Sequence, residues 1–268
     1  MTLKIGLAGL GAIGWPVAKR LDRGIAGLEL VAVAVNDRAR AAARFADFAR
    51  PPTLVEPEAL AGLADVVIEA VPKAVFRRVV APAVARGRIV MPLSVGALLD
   101  HADLVDEARR TGARILVPTG ALAGLDAVRA AAEGRLDEVR IVTRKPPGGL
   151  AGAPHLAALG LDMAAISTPT LVFDGSARDG ARGFPANVNV AAALALAGIG
   201  PDRTRLQIWA DPTVTRNTHE IHVDGDATRL TIRIEGVPDP ENPRTGRLTP
   251  LSVIAALKRL VDPLVVGT

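Results

Sequence analysis

The sequence predicts an α/β chain in two parts. A doubly wound parallel-sheet domain comes first, and a second α+β domain with a mostly antiparallel sheet follows. Three observations carry this expectation. From residue 3 to about 121, continuous apolar runs alternate with helical stretches. A glycine-spaced turn follows the first run. After about residue 122 the runs change to apolar–polar alternation.

Parallel strands buried on both faces read as unbroken apolar runs. "LKIGLAGL" is the first such run, followed by a helical stretch to Arg23. "LELVAVAV" (28–35) is the second, with "RARAAARFADFA" as its helix. "ADVVIEAV" (64–71), "GRIVMPLSV" (87–95) and "ARILVPTGA" (113–121) continue the series. The helical stretches "KAVFRRVVAPAVARG" and "LLDHADLVDEARRTG" separate them.

In the second part "GLDAVRAAAEGR" reads as a helix and "LDEVRIVTRKP" as a strand. "RTRLQIWAD", "THEIHVDG" and "TRLTIRIEG" alternate with period two. In the last of these Leu230, Ile232 and Ile234 share one face, while Thr231, Arg233 and Glu235 share the other. That is the pattern of an antiparallel sheet with one wet face. "KPPGGLAGAP" (145–154), "DGSARDGARGFP" (174–185) and "VPDPENPRTG" (237–246) are expected as loops. The closing "TPLSVIAALKRLVDP" is an amphipathic helix that returns to the first domain. The expected boundaries are 1–122 plus 245–268 for the first domain and 123–244 for the second.

Composition narrows the function classes. Thirty-two basic residues face twenty-eight acidic ones, a net charge of +4. The arginines are scattered singly or in pairs, so no nucleic-acid arm is expected. There is no cysteine, which excludes disulfides, thiolate catalysis and cysteine-based zinc sites. No stretch reaches the ~18 continuous apolar residues of a membrane span, and a soluble cytoplasmic protein is expected.

"GLAGLGAIG" places Gly9-x-Gly11-x-x-Gly14 between a strand and a helix. The first glycine allows a tight turn, the second admits a pyrophosphate close to the backbone, and the third lets helix and sheet pack closely. The N–H groups opening the helix, over Gly11, Ala12, Ile13 and Gly14, then hold phosphates. The fold is therefore expected to be Rossmann-type. Pro16 stands just past the expected first turn, where it costs one helix hydrogen bond and bends the helix. Asp37 lies 23 residues after Gly14, where an acid meets the adenosine ribose hydroxyls. Arg38 beside it can accommodate a 2′-phosphate. NAD is the expected cofactor, with NADP tolerated.

Two of the four histidines, His219 and His222, lie in "NTHEIHVDG". A zincin helix needs H-E-x-x-H with histidines at i and i+4. Here position 223 is Val and the segment reads as a strand, so no metal is expected. On a strand His219 shares a face with Ile221 and Val223, while Glu220 and His222 point the other way. From the residues alone, His219 is equally a buried structural histidine or a catalytic one. His101 reads as a surface residue and His155 as a loop residue.

The segments "PLSVGALLD", "VPTGALAGLDAVRAA", "VTRKPP", "FPANVNVAAALALAG", "RNTHEIHVDG" and "PENPRTGRLTPLSVIAALK" span nearly the whole chain. Together, in this order and spacing, they resemble the L-aspartate dehydrogenase family. The resemblance implies NAD(P)-dependent oxidation of L-aspartate to iminoaspartate, which hydrolyses to oxaloacetate and ammonia, serving NAD biosynthesis or aspartate metabolism. It implies that His219 is the catalytic residue and that Ala123 and Asn189 contact the dinucleotide. Read without the resemblance, Asn189 or Asn187 could instead cap the alanine-rich helix that follows. Lys145 and the loop arginines are candidates for a substrate carboxylate. The expected assembly is a homodimer or homotetramer, its subunit contacts within 123–244, with substrate in a cleft between the domains. Two other readings stay open: a related reductase of another small acid, and a catalytically silent NAD-binding regulator.

Overall fold

The structure, a computed structural model, describes residues 2–185, 188–239 and 245–267. The chain divides into two compact units, residues 1–118 with 249–265 and residues 119–248 with 266–268.

In the first unit the elements alternate along the chain: β1 (Leu3–Ala8), α1 (Gly14–Asp22), β2 (Leu28–Ala34), α2 (Arg38–Arg44), β3 (Thr53–Val55), α3 (Leu60–Leu63), β4 (Val66–Glu69), α4 (Lys73–Ala85), β5 (Ile89–Pro92), α5 (Val95–Leu98), α6 (Ala102–Thr111) and β6 (Arg114–Ile115). The sheet order is β3-β2-β1-β4-β5-β6, and every pairing is parallel. Parallel neighbours need crossover connections, which the helices supply. The order reverses between β1 and β4, so a crevice opens at the carboxyl ends of these two strands. This is the Rossmann arrangement.

Several local features depart from the sequence expectation. α2 stops at Arg44 rather than running to residue 49. Beyond it Phe45 and Phe48 turn back onto Trp15, with ring centroids 6.0 Å and 5.7 Å from the indole. Aromatic burial there outweighs continuation of the helix. Pro16 is the third residue of α1, and it lies between two i→i−4 bonds, from Trp15 N–H to the Gly11 carbonyl and from Val17 N–H to the Ile13 carbonyl. The bond missing between them is the one a residue 16 N–H would make to the Ala12 carbonyl, the single hydrogen bond that a proline costs there. β3 is an unexpected edge strand, hidden in the sequence by its length of three residues between prolines. β6 is only two residues long.

The second unit contains α7 (Leu125–Ala131), β7 (Leu136–Lys145), α8 (Pro154–Ala158), β8 (Thr170–Ser176), α9 (Ala177–Gly183), α10 (Asn189–Ala197), β9 (Arg205–Ala210), β10 (Asn217–Gly225) and β11 (Arg229–Gly236). Its sheet order is β11-β10-β7-β9-β8. Three pairings are antiparallel, but β7 and β9 run parallel. The long segment between them, carrying α8, β8, α9 and α10, is the crossover that a parallel return requires. β8 is absent from the sequence reading because a bulge between Leu171 and Phe173 breaks its alternation. Residues 174–185, expected as a loop, hold α9, whose first turn is capped by the Ser176 hydroxyl accepting from Asp179 N–H.

One face of this sheet is dry. Val139 and Ile141 on β7, Leu206, Ile208 and Ala210 on β9, and Ile221 and Val223 on β10 are all buried. The opposite face carries a cavity of about 250 Å³ lined by polar groups, including Arg140, Arg144, Glu220 and His222.

The last helix, α11 (Leu248–Arg259), places Val253 and Leu257 in the core of the first unit. There they join the cluster of Ile5, Leu7, Val17, Val33 and Ile68. Both are fully buried, whereas Leu251 is 58% exposed. Truncating Leu257 to Ala should therefore destabilise the protein by about 2–5 kcal/mol through lost burial and a residual cavity. Leu251→Ala should change stability by less than about 0.5 kcal/mol. Denaturant unfolding of the two variants distinguishes these outcomes.

Candidate active site

β1 ends at Ala8, and Gly9 turns the chain with φ of +92°. A Cβ on Gly9 would stand 2.2 Å from the carbonyl oxygen of Ala70, just past β4. A Cβ on Gly14 would stand 2.0 Å from the carbonyl oxygen of Gly9. Both glycines are thus demanded by the packing of the loop itself. Gly11 is different, since a Cβ there meets nothing within 4 Å. Among the described residues nothing accepts from the N–H groups of Gly11, Ala12 and Ile13. A tight loop with unclaimed donors at the start of a nine-residue helix fits a pyrophosphate.

The crevice beside this loop is held by a buried acid. Glu69 ends β4 and is inaccessible to solvent. Its carboxylate accepts from the N–H groups of Val71, Leu93 and Ser94 at 2.9, 3.2 and 3.0 Å. The Ser94 hydroxyl lies 2.9 Å from the same group. Burial pushes the Glu69 carboxyl above the usual range, and the hydrogen bonds oppose that rise. One side chain thereby ties the loop after β4 to the loop after β5. The sequence reading missed it, although a glutamate inside "ADVVIEAV" is the visible signal.

Asp37 and Arg38 are both exposed at the start of α2. Asp37 caps that helix, its Oδ1 accepting from Arg40 N–H at 2.9 Å. Arg38 pairs with Glu56, the residue just past β3, at 2.6 Å.

In the second unit β10 runs between β7 and β11. His219 stands opposite Thr143 on one side and Ile234 on the other. Its ring is 4% exposed, and Nδ1 lies 3.0 Å from the Thr143 hydroxyl. Burial in this dry face, assisted by the Lys145 ammonium, pulls the imidazole down to about 3. His219 is therefore neutral throughout the neutral range, and among the described residues its Nε2 makes no hydrogen bond. His222 is on the wet face, where Nε2 meets Glu220 at 2.7 Å.

The remaining sequence candidates are more modest. Ala123 is exposed and precedes Gly124, whose φ of +73° opens α7. Asn189 is the first residue of α10 rather than its cap, which is Val188; Asn187 lies outside the described residues. His101 stands before α6 and stacks on Phe76. His155 belongs to the short helix α8, not a loop, and packs against Phe173 and Phe184.

Residues 9–118 match the family model of the homoserine dehydrogenase NAD binding domain, and residues 126–260 match that of the aspartate dehydrogenase C-terminal domain. Over 266 residues the chain is 52% identical to the L-aspartate dehydrogenase of Bradyrhizobium diazoefficiens, covering 99% of this chain and 94% of that protein. The chain belongs to the L-aspartate dehydrogenase family. L-aspartate dehydrogenase 3 of Bordetella bronchiseptica is 51% identical, with 99% and 98% of the two chains covered. The aspartate dehydrogenase structure from Thermotoga maritima shares the fold, with a TM-score of 0.75, 22% identity and full coverage of both chains.

The three glycines separate into two kinds by what surrounds them. Gly14→Ala should disturb the loop, lowering both thermal stability and dinucleotide affinity. Gly11→Ala should leave stability near wild type yet weaken NADH binding at least about tenfold, since a Cβ there would meet no protein atom but would stand in the space that fits a pyrophosphate. Calorimetric titration with NADH, paired with thermal unfolding, reads both effects.

Proposed function

We propose that the chain oxidises L-aspartate with NAD(P), giving iminoaspartate that hydrolyses to oxaloacetate and ammonia. Membership of the L-aspartate dehydrogenase family supports the reaction. The observation that carries the site is the buried, neutral His219, fixed by Thr143 within the part of the chain that matches the aspartate dehydrogenase C-terminal model.

The first unit is the dinucleotide domain in this reading, and the second carries the substrate-handling histidine. Gly9, Gly11, Ala12, Ile13 and Gly14 hold the pyrophosphate. Asp37 accepts from the adenosine ribose, and Arg38 serves the 2′-phosphate of NADP. Ala123 and Asn189 contact the dinucleotide as well. When bound, the nicotinamide supplies the hydride acceptor.

His219 performs the proton chemistry. The amine of L-aspartate must be neutral before hydride leaves Cα. With Nδ1–H donated to the Thr143 oxygen, the Nε2 lone pair takes the amine proton. The ring passes that proton to solvent, and the neutral imidazole then takes a proton from the water that adds to the iminium carbon; returned to the nitrogen of the adduct, that proton lets ammonia leave. The dry surroundings that keep His219 neutral also strengthen every charge interaction at this point.

A homodimer or homotetramer is part of the proposal. The wet face of the second sheet supports it, because both signs of charge alternate there on β7, β10 and β11, a surface able to complement its own copy. A cytoplasmic location belongs to the same proposal, supported by the use of nicotinamide dinucleotides.

His219→Ala should lower kcat by roughly 10²–10⁴-fold while NADH affinity stays near wild type. His222→Ala, on the other face, should change little. NADH absorbance with L-aspartate, L-glutamate and L-alanine at pH 8 to 10 tests the assignment. L-aspartate should lead by more than about tenfold in kcat/KM, and equal rates for the three would overturn the substrate. A second expectation concerns Asp37, which both caps α2 and meets the ribose. Asp37→Ser keeps a cap oxygen but removes the charge. It should retain stability and weaken NAD more than NADP, measured as the ratio of their kcat/KM values.

A further inference from the structure

Arg44 is the last residue of α2, and its side chain is half-buried. Helical side chains lean toward the N-terminal end of their helix, so this one runs back toward Asp37 and the glycine turn. Its Nη1 donates to the carbonyl oxygen of Leu10 at 2.9 Å. Leu10 stands between Gly9 and Gly11, which puts the guanidinium at the rim of the loop that fits a pyrophosphate. The guanidinium carbon lies over the Trp15 ring, 4.6 Å from its centroid. Phe45 and Phe48 fix that indole in turn. A long, flexible cation is thus held by a carbonyl and by an aromatic face. Among the described residues no carboxylate pairs with Arg44, and its other N–H groups have no protein acceptor. Arg38, at the start of the same helix, is already neutralised by Glu56 at 2.6 Å. Lys19 approaches the Trp15 ring at 5.5 Å, but it is exposed and one turn further along α1.

Building on the dinucleotide reading of the first unit, we propose that Arg44 binds the 2′-phosphate of NADP and so decides whether that cofactor is accepted beside NAD. The two dinucleotides make opposite demands on one place. The 2′-hydroxyl of NAD donates to a carboxylate, which Asp37 offers. NADP puts a charged phosphate where that hydroxyl stood, and two anions then meet at the ribose. Acceptance of NADP therefore needs a cation close by that no acid of the protein has claimed. Arg44 meets both conditions, whereas Arg38, tied to Glu56, plays the smaller part. A guanidinium also presents parallel N–H groups that match two phosphate oxygens. Leu10 and Trp15 hold it before the ligand arrives, so little side-chain freedom is lost on binding. One short helix then serves both cofactors, with an acid at its start and a cation returned from its end.

The test titrates the full-length protein calorimetrically with NADH and NADPH, and with two fragments, adenosine 5′-monophosphate and adenosine 2′,5′-bisphosphate. The wild type should bind the bisphosphate more tightly than the monophosphate. Arg44→Gln removes the charge but keeps an amide N–H for the Leu10 carbonyl. It should weaken NADPH and the bisphosphate roughly 10–100-fold, the scale of a hydrogen bond to a charged group, while NADH and the monophosphate bind as before. Arg44→Lys, which keeps the charge without the fork, should restore part of the NADPH affinity. Lys19→Gln removes a charge beside the same indole and should leave the NADPH to NADH ratio unchanged. Arg44→Met, whose stem still covers Trp15, replaces Arg44→Gln if thermal unfolding shows the latter poorly folded. Equal losses of NADH and NADPH would make Arg44 a prop of the glycine turn and overturn the inference. Unchanged NADPH affinity overturns it too, as does a Lys19→Gln effect matching that of Arg44→Gln, which would mean a diffuse field. A wild type that binds NADH but shows no preference for the bisphosphate overturns this inference alone. One that binds neither dinucleotide overturns the dinucleotide reading first, and this inference with it.

Discussion

His219 and Thr143 face each other because β10 pairs with β7 in one register, and the character of the second sheet follows from that alignment. A strand alternates its side chains strictly between faces. Slipping the pairing by one residue would turn Glu220 and His222 into the dry face and expose Ile221 and Val223. Burying Glu220 among Ile141, Ile208 and Val139 would strand a carboxylate without solvent, so the apolar pattern locks the register. The same lock fixes the imidazole. A hydroxyl at 3.0 Å settles which ring nitrogen faces inward, and the dry face keeps the ring uncharged.

The first unit meets a different constraint, set by backbone rather than side chains. The chain just past β4 crowds Gly9, and the Gly9 carbonyl in turn crowds Gly14, so the turn from β1 into α1 tolerates no Cβ at two of its three spaced glycines. Glu69 strengthens the same region by gathering N–H groups from two loops onto one buried carboxylate. A wall built this way does not need to reorganise when a charged ligand arrives, and preorganised dipoles are the least costly way to hold a phosphate. The two units therefore use opposite strategies. One offers bare backbone donors, and the other offers single side chains set in an apolar face.

Much of this was readable from the chain. The parallel sheet announced itself through unbroken apolar runs, and the orientation of His219 against His222 followed from period two alone. What escaped the reading was information held between distant segments. Thr143 and His219 are 76 residues apart, and nothing local in "VTRKPP" marks Thr143 as that histidine's partner. The parallel pairing of β7 with β9 was hidden for the same reason, because alternation reveals a face but not a direction. β8 and β3 were lost to a bulge and to brevity. α9 was lost because its glycines masked a serine cap that only the backbone geometry reveals.

The return of α11 to the first unit has a consequence for how the molecule is made. Val253 and Leu257 complete a core whose other members lie before residue 92. During synthesis the N-terminal unit must wait, with that apolar patch uncovered, until the whole second unit has left the ribosome. The second unit is nearly continuous in sequence and can fold as soon as it emerges. The order of assembly then inverts the order of the chain: the middle of the polypeptide settles first, and its beginning and end close last, together. Chaperone dependence, and sensitivity to truncation near residue 250, would fall on the nucleotide half of the protein although the cut lies far from it in sequence.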